Sequence, residues 1–276
     1  MKETTQTVGS LLKTWRERRR KSQLDLALDA EISTRHLSFV ETGRARPSRE
    51  MILLLAEHLD LPLRERNKIL IVAGFAPSFS EKSFDDVSLS AARQAIDLIL
   101  KGHEPFPALA VDRHWRMVAA NRTVPLLLDE VRAELLEPPV NVLRLSLHPE
   151  GLAPRIVNLY EWREHLLLRL KKQVEDTADF ELEELLKELT GYKITGRRGR
   201  EKVSQKEAGI IIPLKIESKF GTLSFISTTT VFGTPVDVTV SEIALETFFP
   251  ADDLTREVFN NISKQKNADQ GRMFHL

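Results

Sequence analysis

Between Gln23 and Gly43 the chain reads QLDLALDAEISTRHLSFVETG, and this stretch strongly restricts how the front of the molecule folds. Leu26, Ala27 and Ala30 share one helical face and are small enough for another helix to cross closely. Ser22 is placed to cap that helix, with Asp25 three residues on in a near capping-box arrangement. Ser33 is placed as the next cap. It opens a helix over Thr34–Thr42, which Gly43 ends with left-handed backbone. Leu37 and Val40 then point inward, leaving Thr34, Arg35, Ser38 and Phe39 outside. Two short helices joined by a tight turn have the spacing of a helix-turn-helix. The second offers a guanidinium suited to guanine and hydroxyls suited to base edges or phosphates. Phe39 either meets a thymine methyl or packs against a neighbouring helix.

The flanks extend this to five helices. Val8, Leu11, Leu12 and Trp15 recur at i, i+3, i+4 and i+7, and Arg16, Arg18, Arg19, Arg20 and Lys21 close that helix, where cations favour the dipole. The basic run reads equally as a solvated helix end. After the central motif comes RARPSRE, whose Arg44, Arg46 and Arg49 surround a turn held by Pro47 and suit backbone-phosphate contacts. Ser48 caps a fourth helix with Ile52, Leu53, Ala56 and Leu59 inside, and a fifth over Leu63–Ala73 ends at Gly74. The whole chain balances 40 basic against 40 acidic side chains, but residues 1–76 hold 14 basic and 10 acidic. A basic front and an acidic back is the asymmetry expected when only the first domain meets phosphates.

These residues resemble the lambda-repressor-like, xenobiotic-response-element family of helix-turn-helix regulators. The resemblance implies that Gln23 contacts a phosphate and the recognition helix, and that Thr34, Arg35, Ser38 and Phe39 approach bases. Ser33, His36, Arg44, Arg46 and Arg49 complete the expected DNA-binding set. It also implies a partly buried ion pair between Arg16 and Glu41. Glu31 departs from the pattern, since many members carry glycine in that turn, and a non-glycine residue at positive φ is mildly strained.

The expected domain limits are 1–76 for the helix-turn-helix domain, 77–104 for a linker and connecting helix, 105–260 for a second domain and 261–276 for a frayed polar tail. APSFSEKSFDDVS reads as linker, and Ala91, Ala95, Leu98 and Ile99 mark a helix stopped by Gly102. PALAVDRHWRMVAAN predicts two strands around Asp112–Arg113, then a helix from Arg122 capped by Asn121. Long helices follow near Leu159–Val174 and Phe180–Leu189, then a basic loop, TGRRGREK. IIIPLKIES, GTLSFISTTTVFG and EIALETFFP alternate as strands, with a tight turn at Ser218–Gly221. The fold class expected is therefore a mainly α helix-turn-helix domain followed by an α+β, PAS-like domain with an antiparallel sheet.

PALAVDRHWRMVAAN, NVLRLSLHPEGLAP, NLYEWREHLLLRL and FGTPVDVTVSEIALETFFPADD give the whole layout a resemblance to regulators with an MmyB-like ligand-binding domain. That resemblance implies a small hydrophobic, fatty-acid-like ligand held between sheet and helices. Trp115, Met117, Leu126, Trp162, Leu166, Leu214, Phe225 and Phe248 are the candidate lining, and the same residues equally suit a packed core. Arg155, Arg163, Arg169 and His165 are the candidate partners for an acid head group, with no choice among them. The alternative is a constitutive regulator whose second domain serves only dimerisation or protein docking.

The chain has no cysteine, which removes disulfides, thiolate metal sites and a cysteine nucleophile. The seven histidines lack metal-ligand spacing, and neither a Walker-type nor a GxGxxG phosphate loop occurs. No metal, cofactor or catalytic residue is expected. Ala73-Gly74 lies where self-cleaving repressors of this fold carry their scissile bond, yet no peptidase-like Ser–Lys dyad accompanies it. With no membrane-length apolar run and no signal-peptide core, the expectation is a cytoplasmic homodimer reading an inverted repeat in duplex DNA.

Overall fold

The computed structural model describes residues 6–193, 212–233 and 237–273, with side chains as far as Lys264. Its compact units are residues 1–84 with 234–241, and residues 85–233 with 242–276. TGRRGREK and the Ile210–Ile211 start of IIIPLKIES lie outside the described residues.

The first unit is helical: α1 (Val8–Arg18), α2 (Gln23–Asp29), α3 (Thr34–Glu41), α4 (Arg49–His58) and α5 (Leu63–Val72). The starts of the first four are fixed by side-chain caps. Thr7 and Ser10 form a reciprocal capping box for α1, and Ser22 and Asp25 do so for α2. Ser33 and Ser48 accept from His36 N and Met51 N to cap α3 and α4. Leu12, Leu26, Leu37, Ile52, Leu55, Ile69 and Leu70 meet in one dry core. Leu53 is only half-buried, and Leu55 takes the inner position instead.

The basic run after Trp15 is a solvated helix end only at Arg18 and Arg20, which are exposed, whereas Arg16, Arg19 and Lys21 are tied into the fold. Arg19 donates through Nε to Leu59 O at 2.9 Å and through Nη2 to Asp60 O at 3.0 Å, and Lys21 Nζ donates to His58 O at 2.8 Å. These cations satisfy carbonyls at the end of α4 that the helix itself leaves without donors. The expected linker is also held down. Asn67 Oδ1 accepts from Ser78 N and Phe79 N while Nδ2 donates to Phe79 O, and Arg49 Nη2 donates to Ser78 Oγ. A helical turn at Val238–Ser241 packs on α5, its Val238 N donating to Ser80 O at 2.7 Å.

The second unit holds α6 (Ser90–Gly102), β1 (Ala108–Val111), β2 (Met117–Ala120), α7 (Val142–Leu147), α8 (Leu159–Thr177), α9 (Phe180–Gly191), β3 (Leu214–Ser218), β4 (Gly221–Val231), β5 (Ala244–Pro250) and α10 (Asp253–Met273). The strands form one antiparallel sheet in the order β2-β1-β5-β4-β3, the PAS-like arrangement expected. Leu109, Val111, Leu214, Ile216, Leu223 and Phe225 face the main core with Trp162, Leu166 and Leu170 of α8 and Leu182, Leu185 and Leu189 of α9. No α-helix starts at Arg122. A 3-10 turn at Val124–Leu127 stands there, and Asn121 braces the strand ends: Oδ1 accepts from Ala108 N and Thr123 Oγ1, and Nδ2 donates to Leu100 O and Phe106 O. The polar tail is helical as far as Met273, where α10 ends.

One glycine determines how closely α1 approaches α3. A Cβ on Gly9 would sit 2.2 Å from Val40 O and 2.6 Å from Glu41 O, both backbone atoms that no side-chain motion removes. Gly9→Ala should therefore push the two helices apart and destabilise the first unit by about 3 kcal/mol. Thermal denaturation followed by circular dichroism checks this; an unchanged midpoint would show that the crossing tolerates the methyl group.

Candidate DNA interface and apolar cavity

In the first unit α3 is seated by a buried ionic network. Arg16 Nε donates to Glu41 Oε1 at 2.7 Å and Nη2 to Glu41 Oε2 at 2.9 Å, a two-pronged pair joining α1 to α3. Gln23 Nε2 donates to the same Oε2 at 2.8 Å, which adds the start of α2, and Arg16 Nη1 donates to Lys21 O. The Glu41 side chain is 1% exposed. Burial pushes its carboxyl up, but hydrogen bonds from Arg16 and Gln23, with the Arg16 charge, outweigh that and hold it below the ordinary 4.5. The Glu41 hydrogen bond in turn raises Arg16.

Of the residues singled out for DNA contact, Arg35, His36, Arg44 and Arg46 are exposed, while Thr34, Ser38, Phe39 and Arg49 are half-buried. Phe39 is neither a free finger nor a core residue. Its ring lies under two guanidiniums, Arg35 at 5.3 Å and Arg44 at 5.9 Å, so the aromatic gathers a cation from the first turn of α3 and one from beyond its C-terminus. Ser33 is occupied as the α3 cap, Gln23 is engaged with Glu41, and Arg49 holds Ser78. Glu31 takes positive φ, 53°, with Ile32 N donating to Ala27 O. The turn thus keeps its left-handed geometry without glycine.

In the second unit Trp115, Met117, Trp162, Leu166, Leu214 and Phe248 come together around a cavity of about 90 Å³. Leu126 instead lines a separate cavity of about 310 Å³ beside the Ser218–Gly221 turn, and Phe225 is fully buried in the core, lining neither. Trp115 sits at φ 63°, uncommon for a bulky residue, and its Nε1 donates to Gln173 Oε1 at 2.7 Å. Gln173 Nε2 donates to Arg113 O, so α8 clamps the turn from both sides.

Of the four candidate head-group partners, only Arg169 lines this cavity. Its Nη2 donates to Glu246 Oε1 at 2.8 Å and Thr229 Oγ1 at 2.7 Å, and its guanidinium lies 4.9 Å from the Trp115 ring centre. Arg155 is tied to the carbonyls of Leu127, Asp129 and Glu217, and Arg163 to those of Leu189 and Thr190. Burial first, then the Arg169 charge, pushes His165 down from its ordinary value, which leaves the ring neutral near pH 7. At another edge Trp162 Nε1 donates to Ser146 Oγ. Glu246 went unsingled in the sequence, although the alternation of EIALETFFP places it on the same strand face as Ala244 and Phe248. A carboxylate on the inward face of a strand requires a buried partner. Among the described residues no group of histidine and carboxylate side chains is arranged to hold a metal ion. None of the described helices is long and apolar enough to cross a membrane.

Glu41→Gln removes the charge that compensates Arg16 and should cost about 3 kcal/mol. Because the folded carboxyl titrates below its unfolded value, its contribution is complete above pH 4.5 and fades as the pH falls through the folded value. The stability gap between wild type and variant, measured by urea denaturation, should thus narrow below pH 4.5. A gap independent of pH would exclude ionised Glu41 as its source.

The family described as MmyB-like transcription regulator ligand binding domain matches residues 92–261, and the helix-turn-helix domain family matches residues 7–69. A comparison with curated proteins finds no match. With the larger match spanning more than half of the chain, over the unit that holds the five-stranded sheet and its cavity, the chain belongs to the MmyB-like transcription regulators: DNA-binding proteins with a helix-turn-helix in front and a ligand-binding domain behind.

Proposed function

We propose that the chain is a sequence-specific regulator working in the cytoplasm. Two copies read an inverted repeat, and a small hydrophobic acid in the second unit tunes operator affinity. The observation that carries the ligand half is the cavity itself. Its walls are almost entirely aliphatic and aromatic, with one cation, Arg169, at its border. An apolar chain with one anionic end matches that distribution. The acid would compete with Glu246 for the guanidinium, so its arrival would change how α8 is tied to β5.

The size of the cavity favours a second reading, in which the domain is a packed dimerisation or docking module. About 90 Å³ is less than the ~150 Å³ of an engineered cavity that accepts benzene, so a long chain enters only when the lining opens. Native mass spectrometry of the purified full-length protein, followed by denaturing extraction, separates the readings. A released hydrophobic acid supports sensing, and a protein that stays empty when offered saturated fatty acids supports the packed module. Arg169→Gln should weaken binding of a fatty acid about tenfold and leave the matching fatty alcohol unchanged. Equal loss for both would remove Arg169 from the head-group role.

On the DNA side, Arg35 and Arg46 should separate by function. Arg35→Ala is expected to erase sequence preference by about 1–3 kcal/mol with little effect on non-specific binding. Arg46→Ala should weaken all duplexes alike and reduce the salt slope by about one. Fluorescence anisotropy across salt concentrations, on selected and scrambled duplexes, reads both. An unchanged slope for Arg46→Ala would exclude it as a phosphate contact.

A further inference from the structure

The stretch after β2 sets three consecutive leucines between two cavities. Leu128 lines the inner cavity of about 90 Å³ that Arg169 borders, Leu126 lines the outer one of about 310 Å³ beside the Ser218–Gly221 turn, and Leu127 lines both. The sheet repeats this arrangement. Leu214 borders the inner cavity, its cross-strand partner Phe225 is fully buried, and Leu223 borders the outer cavity. Leu223 and Phe225 share one face of β4 and stand two residues apart, which is about 7 Å of strand, so roughly one side chain separates the cavities. The rings of Phe248, Phe225 and Phe259 bridge the same gap, with successive centres 6.3 and 5.6 Å apart. Phe248 faces the inner cavity and Phe259 the outer one.

The two halves of this partition differ in stiffness. Phe225 is paired on both sides, with β3 and with β5. Leu127 ends a four-residue 3-10 turn, Val124–Leu127, that has no side-chain cap, and 3-10 hydrogen bonds are poorer in geometry than those of an α-helix. Glu130 follows at φ 67°, a conformation that costs a non-glycine residue free energy. Arg155 ties the turn to β3 by donating through Nη1 to Leu127 O and Asp129 O and through Nε to Glu217 O. The tie is to the backbone of Leu127. A change of rotamer at that one leucine therefore opens the partition without breaking it.

We propose that the two cavities are compartments of one ligand site, divided by Leu127. The inner one holds the head-group end of a long-chain carboxylic acid, and the rest of the chain passes Leu127 into the outer one. This rests on the proposed binding of a hydrophobic acid and adds where a chain too long for the inner cavity goes. The outer volume lies at the lower end of the ~300–1,000 Å³ of small-molecule pockets, and its floor is Leu126, Leu223, Val258, Phe259 and Ile262. Charge decides the direction of the chain. The outer rim carries the exposed carboxylates of Asp129, Glu130 and Glu217, while Lys219 lies over the Phe220 ring at 5.3 Å and Arg155 is engaged with carbonyls. An anionic head group is repelled by that rim and attracted at Arg169, so the methyl end points outward. Leu127 thereby sets chain length: short acids leave it in place and long ones displace it.

Isothermal titration of the lipid-stripped full-length protein with octanoate and with palmitate tests the partition. Palmitate should bind at least about tenfold more tightly, because more of its chain is buried. Ile262 is half-buried on α10 and lines only the outer cavity. Ile262→Trp should therefore weaken palmitate about tenfold and leave octanoate unchanged. Leu127→Ala removes the partition and should strengthen palmitate by a similar factor while changing octanoate less; if that variant fails to fold, the Ile262→Trp comparison decides. Octanoate binding with palmitate rejected, or both acids responding alike to Ile262→Trp, overturns the partition and leaves the acid reading standing. A protein that binds neither acid overturns both.

Discussion

The carboxylate of Glu41 is the point on which the DNA-reading half depends. It takes hydrogen bonds from Arg16 and Gln23, so three helices share one buried anion, and the tilt of α3 follows from where that anion sits. A purely apolar contact would let α3 slide or rotate by a fraction of a turn at small cost. A two-pronged guanidinium pair does not, because displacement by an ångström breaks hydrogen bonds that water cannot replace in the core. The backbone of α3 presses on Gly9 a few ångströms away, so the ionic pair fixes orientation and the glycine fixes distance. The outward side chains of α3 inherit their register from both.

The same logic recurs in the second unit with a different purpose. Arg169 and Glu246 also form a shielded pair between a helix and a strand, but this one borders a cavity and its guanidinium lies against Trp115. Trp115 is held in a left-handed conformation by Gln173, and the turn that carries it also carries His114, whose ring contacts Asp179 at the start of α9. Polar groups that pin the apolar wall thus sit at its edge, where an incoming anion would meet them. The network at Glu41 is closed on all sides and suits permanence. The one at Glu246 faces a space and suits exchange.

The DNA-reading helices were legible in the sequence because their determinants are local. Ser22, Ser33 and Ser48 cap helices that begin within three residues of them, and the 3.6-residue period of Leu11, Leu12 and Trp15 needs no knowledge of the partner. The antiparallel class of the second unit was legible for the same reason, through alternation in β3, β4 and β5. What escaped depends on residues far apart in the chain. Arg19 and Lys21 look like a solvated run until the end of α4, some forty residues later, arrives to use them. Asn121 looks like a helix cap and is a brace between strand ends. Phe225 looks like cavity lining because core and lining use one residue alphabet, and even its cross-strand partner Leu214 lines the cavity while Phe225 is fully buried beside it.

The cavity and α6 lie on opposite sides of one sheet, and this bears on how a ligand would be felt elsewhere. The inward residues of β5, Glu246 and Phe248, border the cavity, while Leu245, Thr247 and Phe249 alternate to the side on which α6 packs. His103, at the end of α6, donates to the carbonyl of Phe248 at 2.9 Å. A strand cannot tilt toward one face without tilting away from the other, because neighbouring residues share the same backbone. Separating Arg169 from Glu246 would therefore press on α6 through β5, with no loop or hinge between. A ligand whose binding is felt beyond the cavity needs differential contact with the two positions of this strand, and β5 is the element that borders the cavity on one face and meets the end of α6 on the other.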